Sequence, residues 1–202
     1  MCLLFTIKFD KFGFPLIKHN NWNFYISLLP VSKFQFEKFM IKNGPLGYFY
    51  TDEWYKKILS LNKRNNWKKI NENPWGIFIT GLEYKEIVPF LKYLGKDFRL
   101  PTVEEWICLY KVTKELKEEK ESLFKQCKKN CSFPALYWIK NDFYPLTEEG
   151  LVEIVKDEKG QIKHIGKPFN KWLPNLWQAN TVRDIFEETK YLAGFRVAIT
   201  DK

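Results

Sequence analysis

The feature that most restricts the fold of this 202-residue chain is the stretch RLPTVEEW, residues 99–106. Pro101 holds Leu100 in an extended conformation, because its ring clashes with a preceding helical residue. Thr102 can accept a hydrogen bond from the backbone of Glu105, and the Glu105 carboxylate can reach back to the backbone of Thr102. The stretch therefore predicts a sharp change from extended chain to helix at Thr102.

Hydrophobic alternation predicts short strands along much of the chain. Early strands are expected in LLFTIKF and NFYISLLPVS, followed by a brief one at 77–79. The segment DEKG is interpreted as a hairpin turn. The later strands are predicted in ALYWIK, LVEIV, QIKHIG and GFRVAIT.

Apolar residues at helical spacing predict a few helices between these strands. Ser32 is the expected N-cap of a helix over 33–41, and a second helix over 83–94 is closed by Gly95. A short helix is also expected around 53–61. Behind the RLPT corner we predict one long helix, whose charged later part forms a solvated protrusion.

Composition indicates one domain, 1–202, without a membrane segment. The chain is 45% hydrophobic and 18% aromatic, which is enough for a sizeable, irregular core. The apolar run MCLLFTIKF is too short for a signal peptide, and four scattered cysteines do not form a disulfide framework. We therefore expect a cytoplasmic protein with no membrane partner.

Five motifs occur in the order found in one known family. They are PVSKFQF at 30–36, ITGLEYKEIVPFLKYLGKDF at 79–98, RLPTVEEW at 99–106, GLVEI at 150–154 and GFR at 194–196. Their order and spacing resemble the formylglycine-generating-enzyme (sulfatase-modifying factor) domain family. The resemblance covers nearly the whole chain, and RLPTVEEW is its most specific part.

The resemblance implies an α+β fold of the C-type lectin-like type, with short antiparallel strands and a few helices. The motif residues are then architectural, with a proline turn and helix cap that organise the core and an arginine that orients carboxylates through bidentate hydrogen bonds. These structural residues are Arg99, Pro101, Thr102, Glu105, Trp106, Gly194, Phe195 and Arg196.

The chain departs from the family where the family carries its chemistry. Copper-dependent members have a cysteine pair before the closing GFR, but 166–196 contains no cysteine. Leu151 stands where the family implies an asparagine for a calcium site. His19 and His164 are the only histidines, too few for the three-histidine iron site of a related branch. We expect no catalytic residue, no metal and no cofactor.

A recognition surface is predicted before the closing GFR, at about 167–184. Rigid aromatic rings with amide side chains contribute contact area at low entropic cost, together with adaptable hydrogen bonds. The predicted ligand-binding residues are Phe169, Asn170, Lys171, Trp172, Asn175, Trp177, Gln178, Asn180 and Arg183. The alternative, that the two tryptophans belong to the core and the asparagines form turns, stays open.

The expected function is therefore non-catalytic binding of a protein or small-molecule ligand. A narrower expectation comes from the resemblance, because diversity-generating retroelements vary proteins of this fold just before GFR. Asparagine codons are ready targets of their adenine-directed mutagenesis, and Asn170, Asn175 and Asn180 lie in that region. The alternative from the enzyme class is a divergent metal-dependent oxidase or maturation factor of the same family.

Nucleic-acid binding is a further alternative, which the sequence does not favour. The formal charge of the chain is +9, and 38–69 holds eight lysine or arginine residues against Asp52 and Glu53. Aromatic residues lie among these cations, so the patch could contact a phosphate backbone and stack bases. No nucleic-acid-binding motif accompanies the patch, and a solvated lysine-rich surface is the preferred interpretation.

Three weaker candidates complete the sequence-based hypotheses. Cys127 and Cys131 are four residues apart beside several lysines, which would favour a reactive or metal-binding thiol pair, but two incidental thiols are the preferred interpretation. The acidic neighbours at 104–105 and 148–149 are not expected to face one substrate, because adjacent helical side chains diverge by about 100°. His164 is interpreted as a surface strand residue.

Overall fold

The structure is a computed structural model that describes residues 4–43, 78–115, 117–130, 152–166, 181–185 and 193–201. Within these residues the fold is mixed α and β, with two four-stranded sheets and four α-helices. The strands are β1 (Phe5–Phe9), β2 (Pro15–His19), β3 (Phe24–Ser27), β4 (Val152–Lys156), β5 (Ile162–Ile165), β6 (Val182–Arg183), β7 (Ala193–Phe195) and β8 (Ala198–Thr200).

The first sheet has the order β1-β2-β3-β8 and is antiparallel throughout. The predicted early strands are confirmed as β1 and β3, while β2 between them is a strand that the sequence pattern did not reveal. Asp10 shapes the β1–β2 turn, because one carboxylate oxygen accepts the Phe12 and Phe14 N–H groups at 2.8 and 2.9 Å. The other oxygen accepts the Gln35 side-chain amide at 2.8 Å, which ties the turn to the next helix.

The second sheet has the order β6-β5-β4-β7, and β7 runs parallel to β4. The DEKG hairpin turn is confirmed, since the Gly160 N–H donates to the Asp157 carbonyl at 2.9 Å and Gly160 has a φ of 76°. The predicted single strand GFRVAIT is wrong. The chain leaves the second sheet after Phe195 and enters the first at Ala198, so Arg196 and Val197 form the crossover between the sheets.

The helices are α1 (Lys33–Asn43), α2 (Tyr84–Leu94), α3 (Val103–Tyr110) and α4 (Lys117–Asn130), with a π-helical turn over Lys111–Glu115. The predicted cap of α1 is confirmed, because Ser32 Oγ accepts the Gln35 N–H at 3.2 Å and the Gln35 side chain accepts the Ser32 N–H at 2.9 Å. At the end of α2, the Gly95 N–H donates to the Leu91 carbonyl at 3.2 Å.

The helix predicted behind the RLPT corner is confirmed in its helical character, but it is not regular throughout and its later part is not a wholly solvated protrusion. The π-helical turn follows α3, and the Thr113 hydroxyl within it donates to the Leu109 carbonyl at 2.9 Å. Such side-chain bonds to the preceding turn distort a regular helix. The α4 side chains of Leu123, Phe124 and Cys127 are buried, because one face of this charged helix packs on the core.

Two hydrophobic cores lie on opposite faces of the sheets. Strand residues on one face pack with α3 and α4, through the side chains of Phe5, Ile17, Phe24, Ile26, Trp106, Leu109, Leu123 and Val155. Strand residues on the other face pack with α1 and α2, through the side chains of Leu16, Tyr25, Phe36, Phe39, Phe90, Leu91, Ile154 and Phe195. Many of the aromatic residues noted in the sequence are therefore core residues.

Two predicted elements lie outside the described residues, namely the 53–61 helix and the ALYWIK strand. Of the brief strand predicted at 77–79, only residue 77 lies outside them, and Phe78 forms an isolated antiparallel bridge with Ser32. Among the described helices, none has both the length and the apolar character needed to cross a bilayer.

Candidate functional site

A buried ion pair occupies the crossover between the two sheets. Glu153 lies in β4 and Arg196 follows β7, and both side chains are 0% exposed. The Arg196 Nε donates to the two carboxylate oxygens of Glu153 at 3.0 and 2.8 Å. Trp106 of α3 also donates its indole N–H to this carboxylate at 2.9 Å. One carboxylate therefore joins a helix, a central strand and the crossover.

Arg196 also links the crossover to the first sheet. Its Nη1 donates to the Ser27 carbonyl at 3.2 Å and to the carbonyl of Leu28, both at the end of β3. Burial raises the pKa of Glu153, and the charge of Arg196 partly opposes that rise. Burial also lowers the pKa of Arg196, although a guanidinium stays protonated at neutral pH. We call Trp106, Glu153 and Arg196 the inter-sheet joint.

The RLPT corner forms a second network beside the joint. The Arg99 guanidinium donates to the Glu105 carboxylate in bidentate geometry, at 2.7 and 2.6 Å. The predicted capping box is confirmed, with Glu105 N–H to Thr102 Oγ at 3.2 Å and Thr102 N–H to Glu105 Oε2 at 2.8 Å. Pro101 contributes its carbonyl, which accepts the Lys156 N–H of β4 at 3.0 Å. The corner thus connects α3 to the second sheet.

The structure brings the predicted structural residues together around β4. Gly194 and Phe195 of β7 pair with Glu153 and Ile154, and Phe195 is buried in the core beside α2. Glu153 is the residue that the sequence reasoning did not single out. The sequence could have revealed it, because Glu153 is a charged residue in the otherwise apolar strand LVEIV, and a buried carboxylate needs a partner. These networks are satisfied internally, which suits an architectural role.

Most of the predicted recognition segment lies outside the described residues. This applies to Phe169, Asn170, Lys171, Trp172, Asn175, Trp177, Gln178 and Asn180. Arg183 is described and lies in β6 at the edge of the second sheet, where it pairs with His164 of β5. Its Nη2 donates to the Gly166 carbonyl at 3.1 Å.

The pairing of β5 with β6 brings the two ends of that segment together. Ile165 pairs with Val182, and the described chain stops at Gly166 and resumes at residue 181. Next to this pairing, Lys163 Nζ lies 2.7 Å from Asp184 Oδ1 and 3.8 Å from Asp157 Oδ2. We call these paired ends, residues 163–166 and 181–184, the segment base.

His164 is buried, with 2% of its surface exposed, so its prediction as a surface residue is wrong. The error arises because β5 is an inner strand of the sheet, between β4 and β6. Burial, followed by the charge of Arg183, lowers the pKa of His164 to about 4. The imidazole is therefore neutral at pH 7, next to a cation.

The structure describes only some residues of the two other weak candidates, the cysteine pair and the acidic neighbours. Cys127 is fully buried in the core beside α3 and α4, whereas Cys131 lies outside the described residues. Burial raises the pKa of the half-buried Cys108 thiol, which lowers its reactivity. Glu104 is exposed while Glu105 is held by Arg99, and 148–149 lies outside the described residues.

Asp10 and Lys33 are further buried ionisable groups that the sequence reasoning did not single out. Asp10 is 8% exposed, and burial raises the pKa of its carboxyl group. Lys33, the first residue of α1, is 7% exposed, and burial lowers the pKa of its amine to about 8. In the sequence both look like ordinary surface charges, because their burial depends on packing between distant segments.

Neither a metal centre nor the basic patch can be built from the described side chains. Within the described ranges, no group of three or more His, Cys, Asp or Glu residues is placed to hold a metal ion. Of the 38–69 patch, only 38–43 is described, with Lys38 and Lys42 exposed on α1. No protein-family model, curated protein or solved structure matches the chain.

Proposed function

We propose that this is a non-catalytic binding protein whose recognition surface is the loop-rich segment at about 167–184. The observation that carries the proposal is the segment base, where β5 and β6 hold both ends of the segment at one sheet edge. Binding residues commonly lie on loops that a rigid scaffold positions. A segment with paired ends can also change its sequence at little cost to the rest of the fold.

The described carboxylates around the RLPT corner support a structural rather than a catalytic use of that region. Glu153 is enclosed by Arg196 and Trp106, and Glu105 is held by Arg99 and the cap of α3. A general acid or base must reach a proton of its substrate, and these two groups are already occupied inside the protein.

The finer fold proposal is the C-type lectin-like fold of the formylglycine-generating-enzyme family. It is supported by the arrangement of the motif residues, since RLPTVEEW, LVEIV and GFR meet at the inter-sheet joint and the neighbouring corner. Within that proposal, the asparagines before GFR support the narrower proposal of a variable protein of a diversity-generating retroelement.

The first experiment compares tryptophans by thermal and urea unfolding. The variants Trp172→Ala and Trp177→Ala test the recognition surface, and Trp106→Ala is the matched control, because Trp106 is fully buried. If the two segment tryptophans serve binding, each loses less than about 1 kcal/mol of unfolding free energy, whereas the control loses about 3–5 kcal/mol. Losses as large as the control would assign both tryptophans to the core and overturn the proposal.

The second experiment is deep sequencing of codons 165–193 across a population of host cells. Variation confined to adenine positions, with RLPTVEEW and GFR unchanged, is the result expected of a diversified receptor. An invariant segment would exclude active diversification in that population and leave a binder of fixed specificity. Stoichiometric copper or iron in the purified protein would instead favour the family's oxidase chemistry.

A further inference from the structure

Among the residues that the structure describes, β1 is an edge strand of the first sheet. Strand β1 pairs with β2 on one side, and no other described strand lies on its second side. The Asn20 N–H donates to the Leu4 carbonyl, and the Asp10 N–H donates to the Phe14 carbonyl. Because antiparallel pairing alternates, the even-numbered residues of β1 bond to β2. The backbone groups of Phe5, Ile7 and Phe9 therefore point outward.

The side chains of this edge are unusually apolar for an exposed strand. Phe9 is 40% exposed, and Leu4 at the other end of the strand is 37% exposed. Phe5 and Ile7 lie on the same face as Phe9, because side chains alternate along a strand, and both contact the core beside α3 and α4. The outward backbone groups and the apolar row thus belong to the same three residues.

We propose that two copies of the chain associate through this edge, β1 against β1 in antiparallel orientation, with Ile7 on the two-fold axis. In this register Phe5 of each copy lies opposite Phe9 of the other, and Ile7 lies opposite Ile7. All three pairs are built from residues whose backbone groups point outward, so they can exchange about six hydrogen bonds. The pairing also covers the exposed Phe9 ring.

The charges on the edge permit this register. Lysine on an edge strand normally discourages pairing with another chain. Here the Lys8 ammonium lies 3.7 Å from the Asp201 carboxylate and 4.0 Å from the centre of the Tyr25 ring, over its own sheet. Across the axis Lys8 lies opposite Thr6, so no like charges face each other directly. A second copy is favoured over an unrelated peptide because the apolar row is symmetric about Ile7.

The contact is small, so the dimer is transient, with a dissociation constant on the order of 10⁻⁵ to 10⁻⁴ M. Sedimentation equilibrium of the full chain from about 1 to 500 µM is expected to show a monomer–dimer equilibrium. The variant Phe9→Lys adds a charge on each side of the axis and is expected to weaken dimerisation at least about tenfold. Ile41→Lys is the matched control, because Ile41 is 78% exposed on α1, and it should leave dimerisation unchanged.

Amide hydrogen exchange of the unaltered protein tests the register without relying on a variant. The amides of Phe5, Ile7 and Phe9 are expected to exchange quickly at low concentration and to become protected as concentration rises. Those of Thr6 and Lys8 bond to β2 and should be protected at both concentrations. A monomer at all concentrations, or concentration-dependent protection at another surface with these three amides unchanged, would overturn the proposal.

Discussion

Arg196 and Arg183 lie at opposite edges of the second sheet, and burial lowers the pKa of both. Arg196 is fully buried, and Glu153 together with two backbone carbonyls accepts its hydrogen bonds. Arg183 is half-buried, donates to the Gly166 carbonyl and keeps part of its surface in solvent. The comparison separates an arginine enclosed by the fold from one that lies partly in solvent at a sheet edge.

The same contrast applies to the surroundings of the two residues. At the inter-sheet joint, segments distant in sequence meet, and the N–H donors of Arg196 and Trp106 face the carboxylate acceptor of Glu153. At the segment base, the side-chain contacts with Gly166 and Asp184 join residues 17 and 21 positions apart, and a neutral histidine lies beside a cation. The joint is therefore expected to determine global stability, whereas the base determines local order at the sheet edge.

The largest expected effect comes from removing one member of the joint. Arg196→Met leaves the Glu153 carboxylate buried without its cation, which costs about 3–5 kcal/mol of unfolding free energy. Arg183→Met is the matched control and should cost less than about 1 kcal/mol. Urea unfolding measures both values. Similar losses in the two variants would remove the distinction between joint and base.

Acid is expected to act on the segment base through His164. Its pKa is about 4 in the folded protein and about 6.5 when unfolded, so the unfolded chain takes up the proton first as pH falls. The contribution of the neutral His164 to the free energy of unfolding is complete above pH 6.5 and is lost between pH 6.5 and 4, by about 3 kcal/mol. Urea unfolding at several pH values measures the loss. His164→Gln should flatten this part of the profile, and an unchanged profile would contradict the assignment.

A smaller effect is expected at the RLPT corner. Arg99→Ala removes the bidentate bonds to Glu105 but leaves the helix cap in place, because Thr102 and Glu105 still bond to each other. We expect a loss of about 1–2 kcal/mol. Glu104→Ala is the control, since Glu104 is exposed in the same helical turn. A control loss equal to that of Arg99→Ala would show that the bidentate pair contributes no more than an exposed carboxylate in the first helical turn.

The smallest effect is expected for the exposed ion pair at the base. Lys163→Ala removes the contacts with Asp184 and Asp157, which solvent screens. The unfolding midpoint should move little, and any difference between the two proteins should shrink as salt is added. A large change that persists in high salt would show that the base contributes to the core.

Local features of the fold were predictable because short-range chemistry determines them. Thr102 and Glu105 cap a helix through residues three apart, and Ser32 and Gln35 do the same for α1. The hairpin at Asp157–Gly160 depends on one turn. In each case the residues that form the bonds are neighbours in the sequence, so the pattern contains the whole interaction.

Features that depend on tertiary position were not predictable in this way. His164 is buried because two strands flank β5, and α4 is partly buried because one face meets a core formed largely by other segments. The joint requires Glu153 of β4 to meet Arg196 of the crossover, 43 residues later in the chain. The motif order indicated Arg196 as structural, but no spacing rule identifies its carboxylate partner.

The crossover at Arg196 and Val197 also has a consequence for the order of folding during synthesis. Residues 193–201 are made after all other described residues, yet they supply β7 to one sheet and β8 to the other. Until they leave the ribosome, the first sheet lacks its β8 edge and Glu153 lacks its cation. The nascent chain is therefore expected to stay incompletely folded, and open to chaperones, until this short segment emerges and joins both sheets.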